Sequence, residues 1–291
     1  NGYSLTLNNT GAVRTSAIAV GDNQIYRSGA GIYATSNEVV FDNINSLHIT
    51  STVPTGTSAS AYGIYVEGTN SRGAYYNGDG NAKVTINNVI GDDHAVTIDL
   101  KGDLYRPYAL RVDKKSGSAA LSINGYVNYT LPTGIGLYVT GGNVSLGGGH
   151  MSVDSAQVIQ NVAGDDGTGG RVWINATNDD AGNVVGADHK VQLDGQIYTG
   201  RNSKTFINLV NGDSYWTGIA RTGGEGTEQG QLHLRLGNGS LWTSHNGSDV
   251  AGDEQTVNTL IGEGGTVVVQ DALPIHVQNY SGNLNVVYSH T

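Results

Sequence analysis

The chain has 291 residues, no Cys, and 25 acidic against 15 basic side chains, for a formal net charge of −10. That balance, with no basic run to offset it, argues against nucleic acid or an anionic membrane as the main partner. Its 44 Gly do not recur at every third position, which excludes collagen, and its short alternating apolar runs argue against disorder.

Helical periodicity is nearly absent and strand periodicity is everywhere. In chain order, Gly31–Thr35 (GIYAT) opens a series that continues with Ser46–Thr52 (SLHITST), Gly63–Glu67 (GIYVE), Lys83–Val89 (KVTINNV), Ala95–Leu100 (AVTIDL), Ala109–Asp113 (ALRVD), Ala120–Gly125 (ALSING) and Gly136–Thr140 (GLYVT). Arg171–Ala176 (RVWINA), Lys190–Gly195 (KVQLDG) and Gln231–Leu236 (QLHLRL) follow the same rule. Each alternates apolar and polar residues, the pattern of a half-buried strand. Gly-, Asn- and Asp-rich stretches such as Gly164–Gly170 and Asn178–Asn183 punctuate them as turns.

One phrase returns four times, in GIYAT, GIYVE, ALRVD and GLYVT. Its starts lie 32, 46 and 27 residues apart, too irregular for propeller blades. Coiled strands whose turns vary in length produce such spacing, because each strand keeps register with the one below. The expected fold class is therefore all-β, a parallel β-helix (solenoid). At roughly 4.8 Å per rung and on the order of 20 to 25 residues per rung, it predicts a rod roughly 60 Å long. Parity puts Ile32, Ile64, Leu110 and Leu137 inside, with Ala34, Val66, Val112 and Val139. Tyr33, Tyr65, Arg111 and Tyr138 then face outward in one column. These four are the candidate binding residues. Such a ladder either stabilises the rungs as stacked side chains do or forms a contact stripe for a protein or a sugar.

The last third differs in texture. Leu209–Gly218 (LVNGDSYWTG) and Arg235–Ser244 (RLGNGSLWTS) place Trp216 and Trp242 at matching positions, 26 residues apart, ahead of Thr266–Asp271 and Pro274–His290. This wording resembles the passenger domains of classical (monomeric) autotransporters of the adhesin type. The likeness is loose over the whole chain and more specific over residues 202–291. It divides the chain into β-helix rungs at 1–201 and barrel-proximal rungs at 202–291. The resemblance implies an all-β, right-handed parallel β-helix (solenoid) serving as a bacterial cell-surface adhesin module that attaches to host or matrix proteins or glycans, or to the same protein on a neighbouring cell in aggregation and biofilm. It implies a location on the outer membrane's extracellular side, or secretion, with membrane association only through a C-terminal barrel missing from this sequence. The lack of Cys fits an exported bacterial protein. The abrupt start at Asn1, with no signal peptide, reads as a piece of something longer.

A catalytic constellation is not legible. Gly212-Asp213-Ser214 echoes a serine-protease turn, but Tyr215 replaces the following Gly and would crowd an oxyanion hole. The alternative function is a β-helix polysaccharide lyase or glycoside hydrolase acting on acidic polysaccharide. It would use paired acids such as Asp92-Asp93, Asp165-Asp166 or Asp179-Asp180, with Arg106 and Arg111. Each acid pair reads as a solvated turn, so the chain is expected not to be an enzyme. The eight His show no ligand spacing, so neither a metal nor a cofactor is expected.

Overall fold

The computed structural model describes residues 4–8, 12–18, 29–36, 38–53, 60–70, 80–88, 90–102, 104–178, 184–245, 255–270 and 273–289. Among them the protein is all-β with strands that pair in parallel except for one short antiparallel pair, and with two short 3-10 turns at Asp92–His94 and Gly226–Glu228.

The strands come in levels of three. The first level holds β1 (Ser4–Asn8), β2 (Ala12–Ile18) and β3 (Gly29–Thr35). The second holds β4 (Glu38–Ile44), β5 (Ser46–Val53) and β6 (Ala61–Gly68), and the third β7 (Ala82–Asn88), β8 (Val96–Gly102) and β9 (Tyr108–Lys114). Next, two strands merge into β10 (Ala119–Leu131), followed by β11 (Ile135–Thr140), and then all three merge into β12 (Asn143–Val162). β13 (Arg171–Ile174) follows, then a small antiparallel pair, β14 (Thr177–Asn178) and β15 (Val184–Val185), and then β16 (Val191–Thr199). β17 (Lys204–Leu209), β18 (Tyr215–Thr217) and β19 (Ala220–Thr222) make the next level. The stack ends with β20 (Gln231–Leu236), β21 (Leu241–Ser244), β22 (Gln255–Val269) and β23 (Ile275–Tyr288).

Each early strand pairs in parallel with the strand three places on: β1 with β4, β2 with β5, β3 with β6, and so on to β9. Like residues therefore stack on like. One column reads Phe41, Ile86, Ile123, Leu146, Ile174, Ile207, Leu234, Leu260. A second reads Ile49, Ile98, Tyr129, Met151, Leu193, Trp216, Trp242, Val267. A third reads Ile32, Ile64, Leu110, Leu137, Ile159, Ile197, Ala220. All but the outermost members of these columns are almost completely buried, and together they are the core. The ladders cross residue 201 without a break, since Arg171 pairs with Lys204.

Most stacked positions recur at wider intervals than the sequence suggested, over a range from 19 residues (Gly265 to Leu284) to 49 (Leu47 to Val96). The first column contains β1, β4, β7, β10, β12, β13, β17, β20, β22 and β23. That gives a stack of about 43 Å at the usual strand spacing. It is shorter than the expected 60 Å because more of the chain lies between the paired segments.

Polar residues at the corners turn inward where backbone needs partners. The buried Asn161 amide donates to the carbonyls of Gly170 and Lys204, and that of Asn175 to those of Ala187 and Asn208. Such bonds offset the cost of burying an amide.

A tyrosine column built around Arg111

The four candidate residues do share one register column. Tyr33 pairs with Tyr65, Tyr65 with Arg111, and Arg111 with Tyr138. The column continues through Gln160 and Tyr198 to Arg221. Their neighbours on either side, Ile64 and Val66, Leu110 and Val112, Leu137 and Val139, are fully buried. Tyr33 is 42% exposed, and Tyr65, Arg111 and Tyr138 are half-buried.

Two residues that parity alone does not place join them. Tyr62 lies three positions before Tyr65, and in a flat strand the two would face opposite sides. Yet their rings stack at 5.0 Å, and Tyr62 stacks on Tyr108 at 5.4 Å. The reason lies at Gly63. The paired register runs from Tyr62–Tyr108 to Ile64–Leu110 and skips Gly63–Ala109. The same skip occurs at Gly136. A Cβ at Gly63 would run into the Ala109 carbonyl oxygen and the Ile98 side chain. The glycine that opens the phrase thus marks a corner where the alternation resets, and residues on both sides of it reach the same surface. A glycine column beside an aromatic column was the available signal.

The result encloses Arg111 in tyrosine. Its guanidinium carbon lies 5.6, 5.2, 5.2 and 5.3 Å from the ring centres of Tyr62, Tyr65, Tyr108 and Tyr138. The cation lies over the electron-rich face of each ring, an attraction worth about 0.5–2 kcal/mol per contact depending on desolvation. The neighbouring column supplies the counter-charge. Asp113, only 2% exposed, accepts from Arg111 Nε and Nη2, both at 2.8 Å, from the Tyr65 hydroxyl at 3.1 Å and from Thr140 Oγ1 at 2.8 Å. One level earlier Glu67 accepts from the Tyr33 hydroxyl at 2.6 Å. Burial works against the charge on Arg111, but the Asp113 carboxylate outweighs it and holds its pKa above the ordinary value. Burial, reinforced by the Asp113 charge, pushes the Tyr65 hydroxyl up as well. The hydroxyls of Tyr33 and Tyr65 are thus engaged as donors. The column thus presents a rigid strip of aromatic faces and edges with little side-chain freedom left to lose.

The other candidates do not gather into a site. Asp92 pairs with Lys190 at 2.5 Å, Arg106 stacks over Tyr105 at 5.2 Å, and Arg111 is held by Asp113. Asp166 pairs with Lys114 and accepts the Thr168 N–H, and that lysine bond draws its carboxyl well below the usual range. Asp179 and Asp180 lie outside the described residues. Ser214 is a buried turn residue: its hydroxyl donates to the Asn211 side-chain oxygen and accepts the Val191 N–H, and among the described residues no side-chain base bonds to it. Ser240 repeats this role, donating to Gly237. Among the described residues, no three His, Asp or Glu side chains converge to hold a metal ion, and no helix is long and apolar enough to cross a membrane.

Comparison with protein-family models, with curated proteins and with solved structures finds no match to this chain.

Proposed function

We propose that the chain is a right-handed parallel β-helix serving as an adhesive module at the bacterial surface, with the tyrosine column around Arg111 as a contact face. The fold reading rests on strand pairing. In a closed barrel of parallel strands the wall closes after one circuit. Here the ladder partner lies three strands on, and the same columns are revisited level after level, as in a coil. The right-handed sense follows from the strong preference of parallel strand crossovers for that hand.

One observation carries the functional reading: Tyr33, Tyr65, Arg111 and Tyr138 stand in one register on a half-exposed face, pre-ordered by Asp113 and Glu67. A rigid aromatic stripe gains contact area at little entropic cost and suits repeated weak contacts along a rod. The partner is a host or matrix protein or glycan, or the same protein on an opposing cell. The net charge of −10 makes nucleic acid an unsuitable partner. Attachment to the outer membrane would come from a barrel beyond this sequence, as in the passengers it resembles.

Tyr65→Ala with Tyr138→Ala tests the reading in cell-attachment and aggregation assays beside an unfolding curve. Weakened adhesion of a protein that still folds supports it. Normal adhesion, or a loss that only tracks unfolding, refutes the contact role and leaves the column a structural one.

A further inference from the structure

A cleft of about 600 Å³, away from the tyrosine column, is lined by residues of β10, β12, β16 and β18 and by His245. One wall is a register column: Thr130 pairs with Ser152, Ser152 with Asp194, and Asp194 with Thr217. It spans about 14 Å at the usual strand spacing. Asp154, Gln196 and His245 also line the cleft. Gly195 and Gly218 line it too, at φ 130° and 154°. A Cβ at Gly218 would strike the Gly195 carbonyl oxygen. The missing side chains are what open the cleft.

We propose that this cleft binds a saccharide chain that carries no acidic groups. The lining is rich in hydroxyls and carboxylates and contains no Lys or Arg. Carboxylate and hydroxyl oxygens recognise sugar hydroxyls as hydrogen-bond acceptors, while Asp154 and Asp194 together repel uronate or sulfate. Asp194 is held ready: Tyr215 O–H donates to its Oδ2 at 3.0 Å, and His150 Nε2 lies 3.2 Å from the same oxygen. Both contacts fall on Oδ2, so Oδ1 is left to a ligand. A peptide fits less well. The wall is the face of a sheet whose backbone bonds are already paired, with neither the free edge nor the apolar pockets that strand addition uses. The rise from one level to the next is close to the length of one sugar unit in an extended glycan, so Ser152, Asp194 and Thr217 can meet successive units. The inference stands apart from the tyrosine column and survives its failure.

The test is calorimetric titration of the full chain with cello- and chito-oligosaccharides as neutral probes and oligogalacturonate as the acidic one. The expected result is binding of a neutral oligosaccharide, weakened at least tenfold by Asp194→Asn and by Asp154→Asn, and unchanged by Tyr65→Ala with Tyr138→Ala. Asp154 is exposed, so its substitution keeps the test decisive if the Asp194 variant misfolds. No binding of either neutral series, tighter binding of oligogalacturonate, or full affinity in the folded Asp154→Asn protein would overturn the proposal.

Discussion

Trp242 stacks on Trp216, with ring centres 4.8 Å apart and planes within 5° of parallel. Each indole N–H donates at 3.0 Å to a corner glycine of the preceding level, Trp242 to Gly218 and Trp216 to Gly195. Both rings are completely buried. The matched turns that precede them bring the two rings into register, and the corner carbonyls satisfy the only polar atom each indole has.

Trp216→Ala and Trp242→Ala should each cost about 3–5 kcal/mol, the range for deleting a large buried aromatic. Because the rings share a contact, the double mutant should lose less than the sum. Urea unfolding of the three variants measures both effects, and an unshifted midpoint in either single variant would contradict the stacking.

Two glycines separate strain from collision. Gly218→Ala forces a Cβ against the Gly195 oxygen at an unfavourable φ, whereas Gly167, at φ 80°, has open space around it. Gly167→Ala should cost about 1–2 kcal/mol, the strain of a left-handed conformation. Gly218→Ala should cost clearly more, as read by thermal unfolding.

Asp113 neutralises Arg111 in a place water barely reaches. Removing it leaves a half-buried cation among tyrosine rings, so Asp113→Ala should cost about 3–5 kcal/mol. Arg111→Lys keeps the charge and loses the planar stack; it should cost less and should disturb the tyrosine near-UV circular dichroism. Equal stability of Asp113→Ala and wild type would mean that the pair contributes nothing net.

His233 should give the fold a pH dependence. It is 7% exposed and stacks on Phe206 at 4.7 Å, which in turn stacks on Trp173 at 6.2 Å. Burial, with a smaller push from Lys204, lowers its pKa to about 4 from an ordinary 6.5. Between these values the unfolded chain binds a proton that the folded one refuses, so stability rises with pH there. The contribution is whole above about pH 6.5 and lost as pH falls to about 4, a change of roughly 3 kcal/mol. His233→Phe should flatten the unfolding midpoint over that window. An unchanged slope would show that His233 protonates freely in the fold.

The sequence by itself determined many of the strands, though not Glu38–Ile44 or Lys204–Leu209, with their inward faces and the Tyr33–Tyr65–Arg111–Tyr138 column. Strand alternation has a period of two, and a one-residue slip would expose Val66 or Val112, so the pattern allows one orientation. Trp216 and Trp242 were legible as a pair for the same reason: equal turns precede them. Corners were not legible. Whether a glycine lies flat in a strand or resets its parity depends on the backbone stacked above and below it, which no local pattern records. Only the tertiary structure therefore brought Tyr62 and Tyr108 round to Arg111. It alone set Asp113 from the adjoining column as the counter-charge, and opened the cleft at Gly195 and Gly218 by stacking corners too close to admit a Cβ.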